Sequence, residues 1–315
     1  MSDHLKYFVG LTDAKWFNFL RAQPLTEVNF WRPGAAPFRA LAPGSPFLFR
    51  LHAPRHFIVG GGFFLRYLRL PLPMAWKLFE FGNGTPDYNA LVDRISHYRG
   101  ESADSQSEIG CIVLTSPFFF DEDEWLPVPK EWIPVFGPGQ GYRTNEHIAG
   151  KVWEELLSRL QGHDVRMKTI NPGATQVAET LQRYGTAHLV RARLGQPGFR
   201  AVVTDAYRMR CAISGERTLP VLEAAHIRPY AKNGPHSLGN GLLLRADLHI
   251  LFDQGFLTVT KDLRVEVSSK IKEKYENGRD YYVFHGSQLK NIPINPEECP
   301  TVEFLDWHNS ELFKR

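Results

Sequence analysis

The sequence predicts an α+β protein of two successive domains. Three observations predict it. Short apolar strands and amphipathic helices interleave through about the first 145 residues. Polar and turn residues (Gly162, Asn171, Pro172, Gly173) then interrupt that pattern. A compact strand–loop–strand–helix run follows at 222–253. A chain of 315 residues is long enough for two cores. The expected division is a first domain over 1–161, a linker over 162–185 and a second domain over 186–315.

In the first domain, residues 5–11 read as a strand and 13–21 as a helix with Trp16, Phe17 and Leu20 on one side. Residues 32–46 are rich in Pro and Gly and read as loop. Residues 47–51 and 57–64 read as buried strands, and the triplet Gly60–Gly62 marks a bulge or a close backbone approach. Helices are expected at 73–81 and 86–98, the second capped by Asp87. Residues 110–115 form another apolar strand, which runs into Pro117, three phenylalanines and an acidic turn at 121–124. Strands with intervening helices suggest a small mixed barrel. An amphipathic helix at 146–161 leads out, and helical character returns at 177–183.

Hydrophobic residues make up 43% and charged residues 23% of the chain, which is ordinary for a globular protein. The net charge of +3 permits a nucleic-acid partner, but any phosphate-binding surface must be a local patch. Three widely spaced cysteines, Cys111, Cys211 and Cys299, exclude a four-cysteine zinc knuckle and a disulfide framework. The amino terminus lacks a signal-peptide pattern and no window approaches the ~20 apolar residues of a membrane span. A cytoplasmic protein is expected.

The chemistry concentrates in 222–255. A short strand ends at His226, and a loop with Asn233, Gly234 and Pro235 follows. Asn240-Gly241 reads as a hairpin-type turn before a second strand, 242–244. A helix then carries His249 and Asp253, four residues apart and so on one face, where two side chains can grip one cation. A neutral imidazole opposite a bound cation is what phosphodiester hydrolysis needs: one takes a proton from water, the other stabilises the leaving oxygen. His236 reads as a polar loop residue.

The spacing of His226, Asn240 and His249, fourteen and nine residues apart, resembles the HNH (ββα-metal) endonuclease pattern. The words Arg210–Gly215, Ala225–Ile227, Asn240–Leu244 and Leu248–Asp253 are similar to the HNH domains of McrA-like, modification-dependent restriction enzymes. The resemblance covers 190–265 closely and the tail to 315 more loosely. It implies that His226 activates water, that Asn240 ties the loop and orients that histidine, and that His249 binds metal. Asp253 stands where many relatives place a second ligand from the helix. The implied ion is Mg²⁺ or Mn²⁺, with Ni²⁺ or Zn²⁺ also suited to such a site. Two departures stand out. Ala225 occupies the position before the general base where many relatives place a ligand, so water, a phosphate oxygen or Glu223 takes that place. Cys211 and Ser214 stand where relatives carry a cysteine pair of a zinc knuckle, so packing alone must hold this half. Arg191, Arg193, Arg200, Arg208 and Arg210 form the densest arginine run, read either as a solvated helix face or, beside a nuclease motif, as a phosphate grip. Arg200, Arg208 and Arg245 are the phosphate candidates.

In the first domain Val28–Trp31, Phe38–Gly44, Phe47–Phe49 and Ile58–Gly62 resemble the EVE and PUA-like superfamily of small β-barrels with flanking helices. That resemblance implies a reader of modified or flipped bases, which holds an unstacked base between aromatic faces. Most aromatics here belong to the core. Trp31, read as lying at a loop edge, is the first candidate to line a base pocket, with Asn29 and Trp125 beside it.

The two resemblances together imply a modification-dependent, type IV-like DNA restriction endonuclease. Its first domain would bind a modified, flipped cytosine in double-stranded DNA, and a homodimer would cut both strands. The rivals are an HNH nuclease without modification preference, a reader whose nuclease has decayed, and an RNA-directed protein.

Overall fold

A computed structural model describes residues 4–133, 139–170 (of 161–170, the backbone only) and 195–315. The helical character expected at 177–183, and Arg191 and Arg193, lie outside the described residues. The chain divides into two compact units, Met1–Arg193 and Leu194–Arg315.

The first unit contains, in order, β1 (Lys6–Thr12), α1 (Ala14–Arg21), β2 (Glu27–Arg32), β3 (Pro46–Leu51), β4 (Phe57–Pro71), α2 (Leu72–Phe79), α3 (Tyr88–Arg99), β5 (Glu108–Phe119), β6 (Leu126–Pro127), β7 (Gly139–Arg143) and α4 (His147–Ile170). The strands form one mixed sheet in the order β2-β5-β4-β3-β1-β7, with β6 added on β4. β1 and β3 run parallel and the other pairs are antiparallel. The α+β class is as expected.

Period-two alternation explains how one sheet serves two apolar layers. Tyr7, Val9, Leu48, Ile58 and Phe63 join Ala149, Val152, Trp153, Leu156 and Leu160 of α4 on one side. Phe47, Phe49, Leu51, Val59 and Phe64 join Trp16, Phe17 and Leu20 of α1 on the other. The buried α4 positions recur at helical spacing, and the Tyr7 hydroxyl donates to the Ala149 carbonyl at 2.9 Å. Asp13 and Asp87 cap α1 and α3 through bonds from Trp16 and Ala90 backbone N–H groups.

The glycine triplet does both things expected of it. Register shifts between Gly61 and Phe63, and a Cβ on Gly60 would sit 2.3 Å from the Phe118 carbonyl oxygen.

Three expectations need correction. Trp31 is not at a loop edge: it lies within β2, opposite Cys111 of β5. Val28, Phe30 and Trp31 supply the strand propensity of 27–32, and Val28 and Phe30 are buried in one core. The strand expected at 110–115 extends through Pro117, which the long, bulged β4–β5 pairing tolerates. Finally, α4 continues past Gly162 to Ile170, so the start of the expected linker is helical; one glycine costs a helix only ~1 kcal/mol.

The second unit contains α5 (Gln196–Ala206), β8 (Leu222–His226), β9 (Gly241–Arg245), α6 (Ala246–Asp253), β10 (Leu257–Val259), β11 (Val265–Val267), α7 (Lys270–Tyr275), α8 (Arg279–Tyr282) and α9 (Val302–Glu311). β8 and β9 form an antiparallel pair, as do β10 and β11. Phe199 and Val203 of α5, Leu242–Leu244 of β9, Leu248 and Phe252 of α6 and Leu305 of α9 share one core. The tail therefore packs on the strand–helix centre, as expected. His308 of α9 is buried, stacks on Phe252 at 3.8 Å, and bonds Thr258 and the Phe252 carbonyl. No described helix is long and apolar enough to cross a membrane.

Candidate functional site

β8, the loop after it, β9 and α6 bring the expected residues of the second unit together. His226 closes β8 opposite Gly241, the first residue of β9. Asn240-Gly241 is not a two-residue hairpin turn: neither residue has a positive φ, and fourteen residues connect the strands. The physical reason lies in Asn240 itself, which is fully buried. Its Oδ1 accepts from Arg228 N at 2.8 Å, and its Nδ2 donates to the carbonyls of Arg228 (3.0 Å) and Pro235 (2.9 Å). One side chain thus clips both ends of the loop. Gly234 permits this closure, since a Cβ there would meet the Arg228 carbonyl oxygen at 1.8 Å.

The closed loop presents His236 to His226. Their Nδ1 and Nε2 atoms, respectively, are 2.9 Å apart. Phe199 stacks on the other side of His226 (centroids 3.9 Å, 13°), and Tyr230 stacks on His236 (4.6 Å, 12°). Burial, then the neighbouring His236, push the His226 pKa down to about 4, and burial also lowers that of His236. His226 is therefore a neutral imidazole at neutral pH, able to accept a proton.

His249 sits on α6 between two carboxylates. Its Nδ1 is 2.8 Å from Glu223 Oε2 and its Nε2 is 3.2 Å from Asp253 Oδ2. Burial lowers its pKa, but the hydrogen bonds to Asp253 and Glu223 outweigh this, and the net shift is upward. Ala225, immediately before His226, is fully buried in the core. Among the described residues no three His, Cys, Asp or Glu side chains stand around a common point suited to an ion; these three pair with one another instead. As donors, an imidazole and two carboxylates nevertheless suit a hard or borderline divalent cation, and His249, Asp253 and Glu223 are the residues that would hold it.

The phosphate candidates separate. Arg200 is exposed on α5, and its charge contributes to lowering the His226 pKa. Arg208 reaches the tail instead, donating to Asn291 Oδ1 at 2.7 Å. Arg245 is held by both oxygens of Asp247 at 2.6 and 2.7 Å. A phosphate would have to compete with that carboxylate. Cys211 is held by packing, as expected: it is buried, and its sulfur accepts from the backbone N–H groups of Ser214 and Arg245.

In the first unit, a cavity of about 370 Å³ is lined by Trp31, Phe30, Trp16, Asp13, His52 and Tyr98, among others. Its size falls in the ~300–1,000 Å³ range of small-ligand sites. Trp31 lies edge-on to Tyr98 (5.8 Å, 60°) and its indole N–H is fixed by the Asn83 carbonyl at 2.9 Å. The Tyr98 hydroxyl donates to Asp13 Oδ2 at 3.0 Å. Asn29 and Trp125 are not in this cavity. Asn29 is fully buried and donates to Asn83 Oδ1. Trp125 packs on Phe17 and Phe57 and donates to the Phe120 carbonyl.

Sequence reasoning missed His236 as a site residue, together with Phe199, Tyr98, Asp13 and His52. The available signal for His236 was a second histidine inside the loop that Asn240 closes.

Residues 211–260 match the HNH_2 family model, described as HNH endonuclease. A comparison with curated proteins finds no match. Among solved structures, the chain is similar to ASCH from Zymomonas mobilis, at 12% identity and TM-score 0.30, covering 48% of this chain and 94% of that one. It is also similar to the modification dependent TagI restriction endonuclease (13% identity, TM-score 0.27, 91% of this chain and 75% of that one). A third similar structure is the type IV phosphorothioation-dependent restriction endonuclease ScoMcrA (12%, 0.20, 77% and 52%). All three likenesses are loose. The second unit carries an HNH endonuclease domain, and such nucleases use a divalent metal.

Proposed function

We propose that this HNH nuclease is a modification-dependent DNA restriction endonuclease, in which the first unit captures a modified cytosine swung out of the duplex. One observation carries the reading: the chain that holds the His226–Asn240–His249 site also holds a preformed aromatic cavity with Trp31 and Tyr98 at its wall. Such a cavity suits a flat, unstacked base, which aromatic faces hold and a few polar groups read.

In the nuclease unit, His226 takes a proton from water, whose oxygen attacks phosphorus. Asn240 holds the loop that carries His226's neighbour. His249, Asp253 and Glu223 would hold Mg²⁺ or Mn²⁺, which when bound stabilises charge on the leaving oxygen. Arg200 is the arginine best placed to grip a phosphate near His226. Cutting both strands requires two such sites, which a homodimer supplies.

The test is cleavage of matched plasmids that are unmodified, methylated or hydroxymethylated at cytosine, with Mg²⁺ or Mn²⁺ and with chelator. Metal-dependent cutting confined to a modified plasmid is expected. Equal cutting of all three would favour the second reading, a nuclease without modification preference. The burial of Asn29 and the packing of Trp125 on Phe17 and Phe57 speak for that reading, since they leave Trp31 alone of the three expected base readers in the cavity.

A further inference from the structure

We propose that His236 fixes the tautomer of His226 and so selects Nδ1 as the nitrogen that takes the proton from water. The inference rests on reading His226 as the base, and deepens it by naming the reacting nitrogen and the residue that positions it.

The argument starts from the 2.9 Å contact between His226 Nε2 and His236 Nδ1. Two neutral imidazoles share one proton in such a contact. Were His236 the donor, His226 would accept at Nε2 and carry its own proton on Nδ1. Neither nitrogen would then have a lone pair for water. With His226 as donor, its proton sits on Nε2 and Nδ1 is a free acceptor. His226 Nδ1 has no hydrogen-bond partner among the described residues. Only the second arrangement leaves a competent base, and it requires His236 to accept at Nδ1 and carry its proton on Nε2.

The rings are packed so that the two imidazoles stay in contact. Phe199, His226, His236 and Tyr230 contact in series: flat stacking at both ends, and the hydrogen-bonded tilt of 59° between the two histidines. Asn240 binds the carbonyl of Pro235, the residue immediately before His236, so the buried clip also sets the height of the second imidazole. When water loses its proton to Nδ1, the His226 ring becomes cationic. Its Nε2–H bond to His236 then strengthens, as hydrogen bonds from charged donors do. His236 is thus a positioning residue that never touches the reacting atoms.

The experiment is ¹⁵N–¹H imidazole NMR of the full, metal-free chain at mildly alkaline pH, with cleavage kinetics of the same proteins under Mn²⁺. His226 signals are assigned by their loss in His226→Ala. The wild-type spectrum should show His226 in the Nε2–H form. His236→Phe keeps a flat ring against Tyr230 but removes the acceptor. It should lose that proton's downfield shift and slow exchange, the signature of the hydrogen bond, and lower kcat by ~10–100-fold with KM unchanged. His236→Asn keeps an acceptor at the Nδ1 position and should restore the signature and most of kcat. A wild-type His226 protonated on Nδ1 would overturn the proposal without any variant. So would a His236→Phe protein with unchanged spectrum and kcat. Failure of the underlying reading looks different: His226→Ala would still cleave.

Discussion

Both ring nitrogens of His249 face carboxylates, Glu223 at 2.8 Å and Asp253 at 3.2 Å, so the imidazole of α6 is clamped from two elements at once. The clamp holds a proton on that ring to higher pH than an ordinary histidine. A divalent ion must displace this proton. Mn²⁺ affinity should therefore fall as pH drops through the raised His249 pKa, and binding should release protons. Calorimetric titration in buffers of different ionisation enthalpy measures both. Glu223→Gln and Asp253→Asn should each weaken Mn²⁺ binding by ~10–100-fold. Unchanged affinity in Glu223→Gln would assign the place left by Ala225 to water or phosphate.

His226→Ala should reduce cleavage by ~10²–10⁴-fold, the usual contribution of a positioned base. DNA binding, followed by gel shift in chelator, should be retained. Loss of binding together with cleavage would show that His226 holds the loop rather than serving the chemistry.

Asn240→Ala should cost stability as well as activity. The substitution strands one backbone N–H and two carbonyls that the amide now satisfies in a fully buried position. Roughly 1–3 kcal/mol per unsatisfied group, partly relieved by water entering the loop, gives a net loss of about 3 kcal/mol in urea unfolding. Asn240→Asp, which keeps the acceptor and loses the donor, should fall between. A stability within ~0.5 kcal/mol of the parent would mean that the loop does not depend on the clip.

Acid should destabilise the second unit in a defined window. His226 and His308 are both held neutral, with pKa values lowered to about 4, mainly by burial. Between that value and the ordinary histidine value of 6.5 the unfolded chain binds more protons than the folded one. Stability therefore falls as pH drops through this window and is fully present above it. His249, whose pKa is raised, acts above this window: its stabilisation is fully present below 6.5 and is lost as pH rises from there through the raised value. Urea unfolding at stepped pH should show a loss on the order of 2 kcal/mol from the buried His308. His308→Gln should flatten the dependence.

The nuclease centre was legible in the sequence because its signals are local. β8 and α6 follow from short apolar runs, and the four-residue spacing of His249 and Asp253 fixes their shared face. What escaped depends on contacts distant in sequence or on geometry. Glu223 was legible only as one of three options for the place left by Ala225, because its pairing with His249 spans 26 residues and closes only once β8 lies on α6. His236 gains its place from Asn240, whose role as a buried clip no turn propensity encodes. In the first unit the apolar periods located most strands. Which of many aromatics faces a cavity depends on where along its strand it falls: two places apart on the same face of β2, Asn29 is buried against Asn83 while Trp31, next to the last residue of the strand, reaches the cavity wall.

That contrast yields the most direct test of the base-reading cavity. Trp31 lines it and Trp125 does not, although both are half-buried and both donate an indole N–H to a backbone carbonyl. Base–aromatic stacking is worth ~1–3 kcal/mol per base. Trp31→Ala should therefore weaken binding to modified DNA by ~5–150-fold while leaving the weaker binding to unmodified DNA unchanged. Trp125→Ala removes packing on Phe17 and Phe57 and a cation–π contact from Arg55, so it should lower the unfolding temperature and spare the preference. Fluorescence anisotropy on matched modified and unmodified duplexes, with thermal unfolding of each protein, separates the two effects. Equal loss of preference in both variants would mean that the cavity is sensed only through the integrity of its sheet, and that the modified base is bound elsewhere.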